Sequence, residues 1–399
     1  MTRLSIAGAG ASLRLVPWCL FLFLLPFERL IMGFRLWLPY NLLGVGAALL
    51  LALAPHHAGA QARLQSLAVA FLTMVLSLSY FFSLDPDASM RMLVLVAFHW
   101  LTYALASLAS LSPGEFENSL KALMWGGACA ALAAITAATM GQIGDFDGLE
   151  RPTLVVAGVQ TDPNFFAAGL LIPYAIALFH ARKRPWWGLA LAVLIGAGVL
   201  LPQSRGGAIG LVVVTFASLL MARRWKAALF LGGALPALYL TCSAALGRFD
   251  LLSDTSGAGR TQVWQALLAK GLDHWATGIG LGASPRVTWS AAGLFEALEP
   301  HSLYLEAFVE AGILGGVALL VVLTTHLWGR QGHPLVGPVR AGLLGLFASA
   351  FFLHFLPFKL MWVAWILGSH LTSMRAREAT PSEALVKDLD PPVPSYPQR

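Results

Sequence analysis

The fold is decided by long apolar runs, and residues 186–222 show the pattern: WWGLALAVLIGAGVLLPQSRGGAIGLVVVTFASLLMA. Two apolar stretches flank one short break at Gln203, Ser204 and Arg205, and Arg205 is the only charged residue of the segment. A helix needs about 20 mostly apolar residues to cross the hydrocarbon core of a bilayer. The segment therefore predicts two membrane-spanning helices joined by a tight turn.

The same composition extends over nearly the whole chain. Its 399 residues are 57% hydrophobic and 12% charged, with a mean hydropathy of +0.71, whereas soluble domains carry about a quarter charged residues. The runs are continuous and rich in Leu and Ala, which favours helices over the alternating strands of a β-barrel. We predict an all-α, polytopic membrane bundle of about twelve transmembrane helices. Their cores lie near 15–27, 36–54, 64–84, 91–111, 119–140, 163–181, 186–202, 206–222, 227–246, 302–326, 335–353 and 358–373.

Short basic loops predict the orientation, because Lys and Arg beside a span are retained in the cytoplasm. The strongest are 182–184 and 223–226, and two predicted spans separate them. Both loops can therefore be cytoplasmic, together with both chain termini. The same parity places the following residues there: Arg63, Arg330, Arg340, Arg375 and Arg377. The turn at 203–205 and the long loop 247–300 then lie on the opposite, periplasmic face.

Residues 1–377 are predicted to form one transmembrane domain, and 378–399 a disordered cytoplasmic tail. The tail combines charges with five prolines and cannot bury a core. The first apolar run lacks a small-residue cleavage site, so we expect it to be a retained helix. We expect the hydrophilic loop 247–300 to be ordered and to contain a short interfacial helix. Its apolar face at helical spacing consists of Val263, Trp264, Leu267 and Leu268.

Two arginines are candidate anion-binding residues. Arg205 stands at the predicted start of a glycine-rich helix, where free N–H groups and the helix dipole attract anions and a guanidinium grips phosphate oxygens. Gln203 and Ser204 precede it and are candidate binding residues; the alternative is an interfacial Arg that reaches towards lipid headgroups. Arg260 begins the predicted loop helix and is accompanied by Gln262, with solvation at the surface as its alternative. Arg286, later in the same loop, is a weaker candidate.

His301 stands where a predicted span begins. We predict that His301, Tyr304, Phe308, Gly312 and Gly315 share one helical face that points the imidazole into the mouth of the bundle. An imidazole suits general-base catalysis near neutral pH, whereas the alternative role is an anchor at the headgroup boundary. Further along this span, Glu306 and Glu310 should face a polar interior or pair with a cation.

Several classes of site are not supported by the residues. The stretch 278–282, Gly-Ile-Gly-Leu-Gly, lacks the strand and acidic residue of a dinucleotide site and predicts a tight turn. Asp162 is expected to cap the following helix. The three cysteines show no metal-ligand or disulfide spacing, and no acidic cluster suggests a divalent cation. We therefore predict no metal, no cofactor and, despite a net charge of +6, no nucleic-acid partner.

The order of these short motifs resembles the O-antigen ligase and O-antigen polymerase superfamily. The motifs are Ser204-Arg205-Gly206, Arg260 with Trp264, Gly278-Ile279-Gly280, His301-Ser302-Leu303-Tyr304-Leu305, and Gly312. The resemblance implies a GT-C-like, metal-independent glycosyltransferase that works at the periplasmic face of the bacterial inner membrane. The implied donor is a glycan on undecaprenyl diphosphate, and the acceptor of the ligase branch is lipid A-core.

The resemblance also implies residue roles. Arg205 and Arg260 match arginines that bind the diphosphate, and His301 matches a histidine proposed to activate the acceptor hydroxyl. Many relatives have Asn where Ser302 stands, so Ser302 is given no role, whereas Tyr304 is kept as a binding candidate. We expect an inverting O-antigen ligase; the alternatives are an O-antigen polymerase, a protein O-oligosaccharyltransferase, and a transporter or flippase for an anionic substrate. The sequence sets neither the glycan nor the oligomeric state.

Overall fold

The computed structural model describes residues 6–53, 60–109, 111–146, 149–224, 226–227, 260–291, 300–327, 333–354 and 356–378. The described residues are mostly helical. Residues 228–246 of the predicted span at 227–246 and the tail after residue 378 lie outside them. The predicted orientation, including a cytoplasmic Arg330, and the predicted disorder of the tail stay predictions.

The first part of the chain forms a series of helices joined by short connections. They are α1 (Ile6–Leu24), α2 (Glu28–Gly33), α3 (Trp37–Ala52), α4 (Ala60–Leu78), α5 (Pro86–Leu108) and α6 (Pro113–Thr139), with 3-10 turns at Leu25–Phe27 and Ser79–Phe82. Pro86 and Pro113 occupy first helical positions, where a missing N–H costs no helical hydrogen bond. Ser112 and Glu115 add a capping box to α6.

The remaining helices carry the predicted site. They are α7 (Pro163–Gly169), α8 (Leu171–Lys183), α9 (Pro185–Leu200), α10 (Arg205–Met221), α11 (Arg260–Asp273), α12 (Ser284–Ala291), α13 (Leu303–Leu327), α14 (Val336–Ser349) and α15 (Lys359–Glu378), with a 3-10 turn at Ala350–Phe352 after α14. Two small antiparallel strand pairs stand between α6 and α7. They pair β1 (Gly144–Phe146) with β2 (Leu149–Arg151), and β3 (Val155–Val156) with β4 (Val159–Gln160). The sequence patterns did not predict these strands.

Helices occupy all the predicted span positions that fall within the described residues. Six helices or helix pairs there are long and apolar enough to cross a membrane, and four further apolar helices are shorter. These helices indicate a helical, multi-pass membrane protein, as the composition predicted. The total of about twelve spans stays a prediction.

The packing of α10 against α14 depends on glycines that face each other. A Cβ built on Gly345 would lie 2.8 Å from the Gly210 carbonyl oxygen, and one on Gly210 would lie 3.0 Å from that of Gly345. Small residues let membrane helices approach backbone to backbone. The close approach holds the start of α10 beside the end of α14, where the candidate site lies.

The glycine-rich stretch 278–282 forms the predicted turn. Gly278, Gly280 and Gly282 have φ values of +72°, +99° and +75°, a region that L-residues rarely adopt. The backbone of the turn bonds to α13, where Ile279 N–H donates to the Val309 carbonyl oxygen at 3.0 Å. The turn is therefore docked onto α13.

The expected single helical face from His301 to Gly315 is wrong in two respects. His301 precedes α13, which begins at Leu303. Gly312 has φ +68° and ψ −168° and interrupts the helix. The interruption lets the Ile313 N–H donate to the Trp275 carbonyl oxygen at 2.8 Å, so it joins α13 to the segment that follows α11.

The loop helix α11 packs on protein with only part of its predicted apolar face. Val263 is 2% exposed and Leu267 is 0% exposed, in a small cluster that includes Ile279 and Val309. Leu268, by contrast, is 43% exposed. The buried side of α11 thus contacts α13 and the glycine turn.

Replacing Gly312 tests the docking of α13 onto the segment that follows α11. A Cβ at Gly312 would lie 2.7 Å from the Ala276 carbonyl oxygen, and a non-glycine residue in this backbone region costs about 1–3 kcal/mol. Gly312→Ala should therefore clearly lower the midpoint of thermal unfolding of the purified protein. At Gly316 the nearest atom is 3.7 Å away, so Gly316→Ala should keep the wild-type midpoint. Equal midpoints for the two variants would refute the docking.

Candidate functional site

Arg205 occupies the first position of α10, as the sequence predicted. Ser204 is the N-cap, and its hydroxyl accepts the Gly207 N–H at 3.1 Å. A Cβ on Gly206 would lie 3.2 Å from Ser349 Oγ, and one on Gly207 would lie 2.5 Å from Ala167 Cβ. The start of α10 is therefore wedged between α7 and the end of α14. Arg205 is half-buried at this end of the helix.

The turn before Arg205 is held by Arg151, a residue that the sequence analysis missed. Arg151 donates from Nε to the Pro202 carbonyl oxygen at 3.2 Å and from Nη2 to that of Gln203 at 2.9 Å. Gln203 has φ +54°, and bonds from a charged donor help to stabilise such a backbone. Arg151 lies in the polar segment between α6 and α7. Nothing in the sequence pattern there distinguishes it from a solvated surface arginine.

His301 is held in place by contacts on both sides. The Trp264 indole donates from Nε1 to the Pro300 carbonyl oxygen at 2.8 Å. Immediately after His301, the Ser302 carbonyl oxygen accepts the Glu306 N–H at 2.8 Å. His301 itself has φ +47°, an uncommon backbone region that functional sites often contain.

Tyr304 joins the start of α13 to the end of α14. Its hydroxyl donates to the Phe347 carbonyl oxygen at 2.9 Å, and its ring centroid lies 4.3 Å from that of Phe351. In this structure its hydroxyl is therefore engaged with backbone. The contact fixes the segment that carries His301.

His354 lies beside His301 and was not among the sequence candidates. The two ring centroids are 5.6 Å apart at 64°, and the His354 ring also contacts Phe165 and Phe358 at 5.2 Å and 5.6 Å. Burial lowers the pKa of His354 well below its usual value, and the nearby His301 and Arg29 lower it further. His354 is therefore neutral at neutral pH.

Arg29 completes this aromatic cluster. Its guanidinium carbon lies 4.0 Å from the Phe165 ring centroid and 3.9 Å from that of Phe358, distances typical of cation–π contacts. The preceding Glu28 pairs with Lys359 at 3.1 Å in a buried ion pair. The sequence could have indicated Arg29 and Glu28, because charged residues inside an apolar run are costly and often functional.

The segment 347–354 is the common support of the site. The start of α10 reaches it through Gly206, which packs on Ser349 and Phe352. Tyr304 reaches it from the start of α13, and His301 from the residues just before that helix. Arg205 and His301 are thus carried by chain segments that contact one support from two sides.

The remaining sequence candidates lie on α11, on α12 and at the start of α7. The described backbone places Arg260 one helical turn before Trp264, in α11. Gln262 and Arg286 are exposed. Asp162 caps α7 as predicted, and its carboxylate accepts the N–H groups of Asn164 at 2.8 Å and Phe165 at 3.1 Å.

The buried carboxylate of Glu310 has a structural role. It accepts the Gly282 N–H at 2.7 Å and the Ser284 N–H at 3.4 Å, which fixes the glycine turn and the start of α12. Of the two predicted options, Glu310 has the polar surrounding, to which these backbone N–H groups contribute. In the part of the chain that the structure describes, no three His, Cys, Asp or Glu side chains gather as metal ligands.

The fold and the site define a class: a helical membrane protein with an arginine at a helix start and a histidine carried by the same support. Residues 190–320, about a third of the chain, match the model of the O-antigen ligase family. Over these residues the match confirms the resemblance to the O-antigen ligase family that was drawn from the motifs. The matched region contains Arg205, Arg260 and His301. No curated protein matches the chain.

The neutral state of buried His354 predicts a pH-dependent stability. Its pKa is lowered in the folded protein, so the unfolded chain binds a proton more readily and folding weakens as the pH falls below about 6.5. Between about pH 7 and about pH 5, the unfolding midpoint of His354→Phe should therefore fall less than that of wild type. His274→Phe, outside this cluster, is the control, and its unfolding midpoint should fall with pH as that of wild type does. If the midpoint of His354→Phe fell as much as that of wild type, this would contradict a neutral, buried His354.

Proposed function

We propose that this protein is an O-antigen ligase, a glycosyltransferase that moves a glycan from undecaprenyl diphosphate to lipid A-core. The observation that carries the proposal is that Arg205 and His301, both within the region that matches the family, lie on segments that contact the same support at 347–354. The predicted orientation assigns this end of the bundle to the periplasmic face of the inner membrane, with both termini cytoplasmic.

The donor diphosphate is assigned to Arg205 and Arg260. The start of α10 offers a helix dipole and a planar guanidinium, both suited to phosphate oxygens. Arg260 lies one turn before Trp264, whose indole binds the backbone next to His301. In a partly water-excluded site, fixed positive charge stabilises the leaving diphosphate without help from a metal ion.

His301 is assigned as the general base. The acceptor hydroxyl gives its proton to His301 while its oxygen bonds to the anomeric carbon. The bond from that carbon to the diphosphate oxygen breaks, and undecaprenyl diphosphate leaves with the electron pair. One direct displacement inverts the anomeric configuration. Because burial keeps neighbouring His354 neutral, no second imidazolium opposes protonation of His301.

The five weaker candidates differ in what they contact. The hydroxyl of Ser204 caps α10, and that of Tyr304 holds α14, so both support the site through positioning. Gln203 supplies a backbone carbonyl to Arg151. Gln262 and Arg286 are exposed and are the candidates best placed to contact a bulky glycan.

A reconstituted transfer assay tests the proposal. It contains the purified protein, undecaprenyl-diphosphate-linked glycan, purified lipid A-core and a chelator. Wild type should place glycan on lipid A-core, and His301→Ala should lower the rate by about 100-fold or more, the usual effect of losing a general base. His274→Ala is the matched control and should keep the wild-type rate.

The products distinguish the alternatives. Longer glycans on undecaprenyl diphosphate, with lipid A-core unmodified, would assign the chain to the polymerase branch, and glycan on an added acceptor protein would indicate a protein O-oligosaccharyltransferase. Substrate movement across the bilayer without any glycosyl transfer would favour a transporter or flippase. Wild-type transfer by His301→Ala would refute its role as base.

A further inference from the structure

A second cationic site lies at the other end of the bundle. A cavity of about 180 Å³ opens between α8, α10 and α14, far larger than the space that one buried water needs. Its polar lining includes Arg182, Ser218, His333 and Arg340. It lies well away from His301, because α14 begins at this cavity and ends at the 347–354 support, about 20 Å further along.

Two guanidinium groups from different helices line the cavity. Arg182 comes from the last turn of α8, and Arg340 from the second turn of α14. Among the described residues, none of the ion pairs joins Arg182 to a carboxylate. The pKa of Arg182 is lowered by partial burial and then by nearby Arg224. Several positive charges thus converge here, which favours an anion.

The first turn of α14 adds a helix terminus to the same wall. Val336 and Gly337 line the cavity, and no side chain caps this helix at Leu335. The Val336 N–H donates to the His333 carbonyl oxygen at 3.1 Å, and Pro338 has no N–H. The Gly337 N–H is therefore the first-turn donor at the positive end of the helix dipole. Gly337 has no side chain to obstruct an approaching oxygen atom.

Ser218 is an independent sign that the cavity is built to hold a polar group. It lies on α10, lines the cavity and is 6% exposed. Its carbonyl oxygen accepts a hydrogen bond from Arg182. Its buried hydroxyl has no hydrogen-bond partner within the described ranges, and such a group usually has one.

We propose that this cavity binds a phosphate group through Arg182, Arg340, the start of α14 and the Ser218 hydroxyl. Guanidinium groups, helix N-terminal amides and hydroxyls are all donors that suit phosphate oxygens. The site is separate from the proposed glycan-transfer site and does not depend on that function.

The surroundings favour a membrane lipid as the carrier of this phosphate. Ala175, Phe179, Met221 and Val336 supply apolar lining beside the cationic groups, as an acyl chain below a headgroup requires. Basic pockets between helices at the cytoplasmic membrane surface commonly bind anionic headgroups. The basic loop at 182–184 places the cavity at that surface by the predicted orientation.

Lipid binding to the full-length purified protein tests the proposal. The probes are phosphatidylglycerol, diacylglycerol, which lacks the phosphate, and inorganic phosphate, and affinities come from the rise in thermal unfolding temperature on titration. Arg182→Gln and Arg340→Gln should each weaken phosphatidylglycerol binding by about fivefold. Ser218→Ala should weaken it as well. Arg182→Lys keeps the charge and should retain most of the binding, which separates loss of a cation from damage to the fold.

Arg63→Gln is the matched control, since it removes an exposed arginine outside the cavity. It should bind phosphatidylglycerol as wild type does, and diacylglycerol should not compete. Variant-sensitive binding of inorganic phosphate without phosphatidylglycerol binding would support the phosphate site with a soluble source. Equal binding by wild type and both glutamine variants, or equal affinity for diacylglycerol and phosphatidylglycerol, would overturn the proposal.

Discussion

The close contact of α10 with α14 is the constraint on which the rest of the structure depends. Gly210 and Gly345 let the two backbones approach, and Gly206 continues that approach to Ser349 at the end of α14. Any larger side chain at these positions would push Arg205 away from the 347–354 segment. The position of His301 depends on the same segment, because Tyr304 at the start of α13 and His301 just before it both contact this segment. Helix packing thus sets where Arg205 lies relative to His301.

Much of the fold follows from patterns in the amino-acid sequence. Apolar runs predicted the helix positions, and local chemistry predicted the Asp162 cap and the turn at 278–282. The break in α13 was not predictable, because the Gly312 conformation depends on Trp275 and Ala276, which come from a distant part of the sequence. The helical pattern therefore wrongly predicted one continuous face from His301 through Gly312, where the helix is interrupted.

The candidate site was predictable where motifs carry it and not where packing creates it. Arg205 was correctly expected at a helix start, since a polar break between apolar runs marks one. His354, Arg29 and Arg151 were missed because their contacts join segments far apart in sequence. Arg29 could have been noticed as a charge inside an apolar run. The α14 helix also links this site to the cavity proposed to bind phosphate, a relation that only the tertiary structure reveals.

The central claim is that Arg205, at the start of α10, binds the donor diphosphate. The most direct test is the affinity of the purified protein for undecaprenyl diphosphate, comparing wild type with Arg205→Ala and with Arg63→Ala as a charge-matched control. The account predicts at least about tenfold weaker binding for Arg205→Ala, since a charge-assisted hydrogen bond to an anion contributes about 1.5–3 kcal/mol. Arg63→Ala should bind like wild type. Unchanged affinity in Arg205→Ala would contradict the claim.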